Sequence, residues 1–325
     1  MVTLLPGRAS SPDAARRSRR LVRAGAGAAL LVAMLATGGC GVVAEYPTTT
    51  MPTAFSAESR SLAPMTISPP AEAGTGTLMP VYWLGLNDTT VSLYREFLQS
   101  DNTGDPIGEA VRAMTAGKPL DQDYFTPWQP ADKVTASISS KNVITVDIPS
   151  KAFKGSLDAG MAHRAVQQLV YTATAAAVNA GLTTVGQEST VVVLVDGKAG
   201  YRAFGHESLE EPLRRDPSLV APIWIIDPQE SQVRSTSLTV TGTAASQPEG
   251  LYWRAEPVVD GRPSSDAVAS GRVDFHEGPG STREFTFSTT LAPGTYSLKV
   301  YYKGHEAAGD SKRITVTAAP GDPES

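Results

Sequence analysis

The chain has 325 residues, of which 41% are hydrophobic and 19% charged, a composition that supports a packed core and argues against a wholly disordered protein. Its 28 Lys and Arg against 33 Asp and Glu give a net charge of −5, and no basic stripe follows residue 23, which argues against nucleic acid as a partner. A single cysteine excludes a disulfide within the chain.

The first 39 residues have the pattern of an export signal. Five arginines lie between residues 16 and 23, and residues 24–39 carry no charge. This apolar run is shorter than a membrane-spanning helix needs, which favours a cleaved signal peptide over a permanent span. We predict a lipoprotein signal peptide at 1–39. The route of export, general secretory or twin-arginine, stays open.

The one cysteine ends this segment, in "LATGGC" at residues 35–40. The run resembles the lipobox of bacterial lipoproteins, with Thr37 where that family prefers Leu. The resemblance implies that Cys40 is acylated and becomes the N-terminus, anchored by lipid at the extracytoplasmic face of the cell membrane. The alternative is an ordinary signal peptide with a chance cysteine. Cleavage before Cys40 leaves 22 basic and 32 acidic residues, a net charge of −10.

Residues 40–76 are rich in Pro, Thr, Ser and Ala and show no sustained period of 2 or 3.6. Such a segment buries too little apolar surface to offset the entropy of ordering, so we predict a disordered tether.

Residues 77–205 alternate strand and helix patterns. Two hairpins are predicted, "LMPVYWLG" with "TVSLYREF" and, further on, "KVTASIS" with "NVITVDI". A short helix between them is predicted to begin after an N-cap at Asp105 and to end at Gly117. A long helix is predicted from an N-cap at Ser156 to Gly181, with one apolar stripe, followed by the buried strand "TVVVLV".

This order, β-β-α-β-β-α-β, with "VQQLVYTAT" leading to "TVVVLVDG", resembles the GerMN domain of sporulation and spore-germination proteins. The resemblance implies an α+β fold related to ring-building motifs of envelope assemblies. It implies no catalytic residues.

Residues 206–221 form a charged connector, and residues 222–318 contain seven short strands separated by Gly, Pro, Asp and Ser turns, before a disordered tail at 319–325. Seven such strands are typical of an all-β sandwich. "LAPGTYSL" predicts a tyrosine corner in which Tyr296 bonds back to its own turn, and Trp253 is predicted to lie in the core. The segment resembles the immunoglobulin-like domain of bacterial spore germination, including its "SLTVTGTA" strand.

No chemistry-bearing constellation is visible, so no catalytic, cofactor-binding or metal-binding residue is predicted. The four histidines have no partner at metal-ligand spacing, and His163 is interpreted as a partly exposed helix residue. Glu210 and Glu211 are interpreted as solvated. Of Tyr301 and Tyr302 one must face the core and the other outward, where it could join Tyr252 either in cross-strand packing or in an exposed aromatic surface.

The sequence therefore predicts a lipid-anchored extracytoplasmic binding or assembly protein of the bacterial envelope, and not an enzyme. Its expected partners are the membrane, through lipid on Cys40, and an envelope protein or a second copy; no nucleic acid is expected. A link to sporulation or germination is left open. The alternatives are a ligand- or glycan-binding envelope lipoprotein and, third, a cell-wall enzyme.

Overall fold

A computed structural model describes residues 77–245, 250–275 and 282–318. Cys40, the signal, the tether and the C-terminal tail lie outside them. The first half of the described chain contains two helices and eight strands: β1 (Leu78–Asn87), β2 (Thr90–Gln99), α1 (Pro106–Ala116), β3 (Tyr124–Phe125), β4 (Thr135–Ile138), β5 (Val143–Ile148), α2 (Ala159–Asn179), β6 (Thr190–Val195), β7 (Arg202–Ala203) and β8 (Glu207–Ser208). The predicted order β-β-α-β-β-α-β is present, with the two-residue strands β3, β7 and β8 in addition.

The two helices begin at side-chain caps. In α1 the Asp105 carboxylate accepts the Gly108 N–H at 2.8 Å, and Gly117 follows with a φ of +68° that costs glycine little, as predicted. The predicted N-cap of α2 is wrong. Asp158, not Ser156, caps it, because the chain stays extended through Asp158, whose carboxylate accepts the Met161 N–H at 2.9 Å.

Two three-stranded sheets flank α2, in the orders β2-β1-β3 and β4-β5-β6, and β5 runs parallel to β6. Residues 165–177 of α2 are buried on every side, so the prediction of a single apolar stripe is wrong. The helix contacts β1 on one side and α1, β5 and β6 on the other, and a helix enclosed in this way loses its exposed face.

Along the edge of strand β1 that pairs with β3, side chains of helix α2 supply further hydrogen bonds to the β1 backbone. Thr172 Oγ1 accepts the Tyr82 N–H at 3.1 Å, and Gln168 Nε2 donates to the Tyr82 carbonyl at 2.9 Å. Further along, Asn179 Nδ2 donates to the Leu78 carbonyl at 2.8 Å. Helix α2 thus supplies the hydrogen bonds that a neighbouring strand would otherwise make.

The second half is a β-sandwich. Its strands are β9 (Ile223–Asp227), β10 (Gln232–Ser235), β11 (Ser237–Ala245), β12 (Leu251–Val259), β13 (Arg262–Pro263), β14 (Ala269–Val273), β15 (Thr282–Thr290), β16 (Gly294–Tyr302) and β17 (His305–Thr317). The seven predicted strands are all present, and β10 and β13 are additional. One sheet has the order β10-β17-β16-β12-β13 with β14 also on β12, and the other has β15-β11-β9.

The predicted core of the sandwich is confirmed at two residues. Trp253 is buried and stacks on Phe287 with ring centroids 4.7 Å apart. Tyr296 Oη donates to the Ala292 carbonyl at 2.9 Å, which is the expected tyrosine corner.

Strand β9 belongs to two cores. Ile223 and Ile225 face the sandwich core, while the alternate residues Trp224 and Ile226 pack into the core of the α+β part. The described residues accordingly form one compact unit.

Candidate functional site

Histidine, the residue type that most often carries acid–base chemistry, is scattered in this fold. His163, His206 and His305 lie on α2, in the connector and at the start of β17, while His276 is outside the described residues. No group of three or more His, Cys, Asp and Glu side chains in the described ranges could hold a metal ion. In the same ranges, neither helix is long and apolar enough to cross a membrane.

His163 ties the connector to α2. Its Nδ1 lies 3.1 Å from Glu207 Oε1 and its Nε2 lies 3.4 Å from Asp216 Oδ2, and 38% of the side chain is exposed. The interpretation of a partly exposed helix residue is confirmed, but the two carboxylates were not foreseen. Glu210 and Glu211 are exposed, as interpreted.

The connector also extends both sheets of the α+β part. Leu213 forms a bridge with Val191 of β6, and Val220 forms one with Leu93 of β2. The Ala221 N–H donates to the Leu93 carbonyl at 3.0 Å. The segment thus lies along two strand edges that would otherwise be open.

The most unusual chemistry lies where the α+β part meets the sandwich. Lys312 of β17 is 3% exposed, and its Nζ donates to Asp121 Oδ2 at 2.6 Å, to Tyr124 Oη at 2.6 Å and to Asp310 Oδ1 at 3.2 Å. Asp121 and Tyr124 belong to the α+β part and Asp310 to the sandwich. We call these four residues, with Glu96, the Lys312 cluster.

Backbone donors and aromatic rings complete the cluster. Glu96 accepts the N–H groups of Leu120 and Asp121 at 2.8 Å each, which holds the loop that carries Asp121. Asp310 Oδ2 accepts the Ile225 N–H at 2.7 Å, which connects the cluster to β9. The Tyr124 ring lies under Lys312 Nζ, with its centroid 4.4 Å away, and stacks on Tyr94.

The cluster contains three carboxylates and one ammonium in a site closed to water. Burial raises the pKa of Glu96 to about 7 and raises that of Asp310. Burial works to lower the pKa of Lys312, but Asp310 and Asp121 outweigh it and hold that pKa above its ordinary value. Lys312 therefore stays charged, and burial makes both Glu96 and Asp310 bind a proton more readily than an exposed carboxylate would.

Sequence reasoning missed the Lys312 cluster, although a signal for it exists. In "GDSKRITV" the residues Asp310, Lys312, Ile314 and Val316 alternate on one face of β17. Two of those four inward positions are charged, and a buried charge requires a buried partner. The partners themselves lie about 190 residues earlier and could not be identified from spacing.

A second contact joins the two parts beside the cluster. The Gln229 side chain accepts the Phe97 N–H at 2.6 Å and donates to the Phe97 carbonyl at 3.1 Å. This pair of bonds satisfies both backbone groups of Phe97 on the outer side of β2, in the way that a neighbouring strand would.

A cavity of about 270 Å³ lies between the start of β1, the end of α2 and the loop before α1. Glu109 in its wall is fully used, since its carboxylate accepts from Ser100 Oγ, from the Asp101 N–H and from the N–H and Oγ of Thr103. Those bonds outweigh the effect of burial and lower the pKa of Glu109. The carboxylate thus orders the loop and has no bonding capacity left to recognise a ligand.

The tyrosine pair on the sandwich is divided as expected. Tyr302 is buried, whereas Tyr301 faces outward and stacks on Tyr252 with centroids 6.4 Å apart. The guanidinium of Arg254 lies 5.2 Å above the Tyr301 ring. The outward tyrosines are therefore packed across strands and also half exposed.

Comparison with known proteins finds a family match for part of this chain. Residues 80–200 match the Germane family model, described as sporulation and spore germination. No curated protein matches the chain. The tandem GerMN domains of the sporulation protein GerM from Bacillus subtilis are 21% identical, with 46% of this chain and 49% of that chain covered and a TM-score of 0.36. This chain thus spans about half the length of that protein.

Two further structures are similar to shorter stretches. For the first GerMN domain of the same Bacillus subtilis protein the identity is 12%, the coverage 43% of this chain and 95% of that chain, and the TM-score 0.32. For the first immunoglobulin domain of the mouse polymeric immunoglobulin receptor, the identity is 15%, the coverage 31% of this chain and 99% of that chain, and the TM-score 0.18. Over residues 80–200, the chain is therefore similar to the Germane family of sporulation and spore germination.

Proposed function

We propose that the chain is a lipid-anchored extracytoplasmic protein of the bacterial envelope that works by binding and assembly, in a process related to sporulation or germination. The observation that carries the proposal is the buried junction between its two parts. Lys312, Asp310 and β9 join the sandwich to the α+β part through buried contacts. Two parts joined in this way suit the presentation of fixed surfaces to partners.

In the described residues, the paired ionisable groups are better explained as structural than as catalytic. The buried charged groups around Lys312 bond to one another and to backbone, and His163 bonds to two connector carboxylates. The Lys312 cluster is buried away from a substrate, and both ring nitrogens of His163 already face connector carboxylates, whereas an acid–base mechanism requires a group that a substrate can engage. This supports a binding role over a cell-wall enzyme.

Anchoring is supported by the sequence "LATGGC" and by the apolar run before it. The test is fractionation of bacterial cells that produce the full chain. We expect wild type in the membrane fraction, and Cys40→Ala outside it, with Ser56→Ala in the tether as a control that behaves like wild type. Equal membrane retention of Cys40→Ala would contradict lipid anchoring.

Assembly is tested on the same cells with a membrane-impermeable cross-linker. We expect one recurrent product, either a dimer or a complex with a single envelope protein, from wild type and a weaker one from Cys40→Ala. A chain that is membrane-bound but gives only monomer would contradict the assembly role while leaving the anchor intact.

A further inference from the structure

The outer face of the larger sandwich sheet has an unusual composition for an acidic protein. On β12, Tyr252 and Arg254 alternate with the core residues Leu251 and Trp253, so they point away from the core. On β16, Lys299 and Tyr301 alternate with Leu298 and Val300 in the same way. We call the face formed by Tyr252, Arg254, Arg272, Lys299 and Tyr301 the cation–tyrosine face.

Strand register places these side chains in two adjacent rows. In the first row Tyr252 lies between Arg272 of β14 and Tyr301 of β16. In the second row Arg254 is directly opposite Lys299. Rows on one face are two residues apart, or roughly 7 Å along a strand, and neighbouring strands are about 4.8 Å apart. Three cations and two aromatic rings therefore share a compact, flat surface.

Only one of the two cations in the second row forms a salt bridge within the part of the chain that the structure describes. Glu256 Oε1 lies 2.9 Å from Arg254 Nε, whereas Lys299 makes no salt bridge there. Burial lowers the pKa of Lys299 and Arg254 lowers it further, while Glu256, Glu306 and Asp310 oppose that effect. An anion bound here would give Lys299 the direct partner that it lacks in these residues.

The tyrosines restrict what that anion can be. Tyr252 and Tyr301 are half-buried and stacked, and Tyr301 carries the Arg254 guanidinium over its ring. Ordered rings beside a planar guanidinium fit a ligand that combines rings with apolar C–H faces and carboxylate or phosphate groups. Acidic sugars have both features, whereas an acidic peptide has charge without the rings.

We infer that the cation–tyrosine face binds an acidic polysaccharide, with sugar rings against Tyr252 and Tyr301 and acidic groups at Arg254, Lys299 and Arg272. The choice of a polysaccharide over a nucleic acid rests on the proposed function, because an extracytoplasmic protein meets acidic glycans in the envelope. The binding itself does not depend on lipid at Cys40.

The test is titration of the purified full chain, in neutral detergent at low salt, with alginate oligosaccharides, whose every sugar carries a carboxylate. Dextran is the neutral probe, polyglutamate the acidic polypeptide and oligothymidylate the nucleic acid. We expect alginate to bind most tightly, dextran not to bind, and alginate binding to weaken as salt rises.

Variants separate the cations from the rings. Combining Arg254→Gln with Lys299→Gln should weaken alginate binding by about ten-fold or more, which is the effect of roughly 1.4 kcal/mol. Tyr301→Ala should weaken alginate binding but leave weak polyglutamate binding unchanged. Lys141→Gln, at an exposed lysine on the turn after β4, is the control for the loss of a positive charge elsewhere on the surface and should bind like wild type.

A stability measurement guards against misfolding. Lys299→Gln should leave the thermal midpoint close to that of wild type, because the repulsion from Arg254 is opposed by attraction to Glu256, Glu306 and Asp310. The inference is overturned if alginate fails to bind, if polyglutamate or oligothymidylate binds as tightly, or if the double variant binds like the Lys141→Gln control. Any of those results leaves the anchoring and assembly proposal standing.

Discussion

At the scale of single residues, the charge imbalance of the Lys312 cluster has the clearest consequence. Glu96 is 2% exposed and accepts two backbone N–H groups, and it shares its surroundings with Asp121, Asp310 and a single ammonium. Two donors favour the carboxylate, but burial is the larger effect, and it raises the pKa of Glu96 from 4.5 to about 7. Glu96 therefore binds a proton more strongly in the folded state than in the unfolded chain.

Titration of Glu96 is expected to make the protein less stable as pH rises. Below about pH 4.5 Glu96 is protonated in both states, and its contribution to stability is fully present. As pH rises toward 7 the unfolded chain loses the proton first, so the free energy of unfolding falls, on the order of 3 kcal/mol for this group alone. Urea unfolding at several values between pH 4.5 and 7.5 measures the slope.

Glu96→Gln isolates the contribution of Glu96 to the pH dependence of stability, because the amide does not titrate while the rest of the chain keeps its own pH dependence. We expect the variant to be less stable at low pH, since both oxygens of the protonated acid can still accept, whereas the amide NH2 group would face one of the two backbone N–H donors. Its stability should also fall less with pH than that of wild type. Parallel curves for the two proteins would show that Glu96 titrates normally.

At the scale of elements, α2 shows why one helix in this fold contains so many buried polar side chains. Gln168 and Thr172 are fully buried, and both bond to Tyr82 of β1. Each lies on the helix at a spacing of one turn, so together they meet one residue of the strand. The bonds substitute for a missing strand partner and fix the height of the helix along β1.

Thr172→Val tests this substitution without a change of shape. The variant leaves the Tyr82 N–H buried without an acceptor, and we expect it to destabilise the protein by about 1–3 kcal/mol. Thr286→Val, at an exposed threonine on β15, makes the same chemical change and should alter stability by less than about 0.5 kcal/mol. The measurement is the free energy of unfolding in urea. A Thr172→Val protein as stable as its control would show that the bond to Tyr82 contributes nothing net.

The elements themselves were largely predictable, because their signals are local. Asp105 and Gly117 bound α1 in both the sequence pattern and the structure, and the turn before Tyr296 forms the expected corner. The stripe on α2 was not predictable. Burial on all sides depends on a second sheet, which local periodicity does not reveal. Ser156 was mistaken for the cap because Asp158, two residues later, has an equally suitable side chain.

At the scale of the whole molecule, the important feature is how the two halves share β9. Trp224 and Ile226 leave the sandwich core to complete the other core, and Asp310 bonds the Ile225 N–H between them. The sequence predicts two separate modules joined by a connector. Alternation along a strand such as β9 shows that the strand has two faces, but it does not reveal that the second face packs against the other module. The Lys312 cluster escaped prediction for the same reason, because Lys312 and Asp310 bond to Asp121 and Tyr124, which lie about 190 residues earlier in the chain.

Shared packing of this kind predicts that residues 77–318 unfold in a single transition. Both halves contain tryptophan and contribute to its fluorescence. Tryptophan fluorescence and far-ultraviolet circular dichroism should therefore give coincident unfolding curves in urea for the full chain. Lys312→Met leaves Asp121 and Asp310 buried without their cation, which we expect to cost about 3–5 kcal/mol and to separate the two curves. Lys303→Met, at an exposed lysine beside β17, keeps the charge change but breaks no buried pair, and should unfold like wild type. Two separate transitions in the wild-type chain would show that the halves fold independently, and that the buried junction adds too little energy to make them one unit.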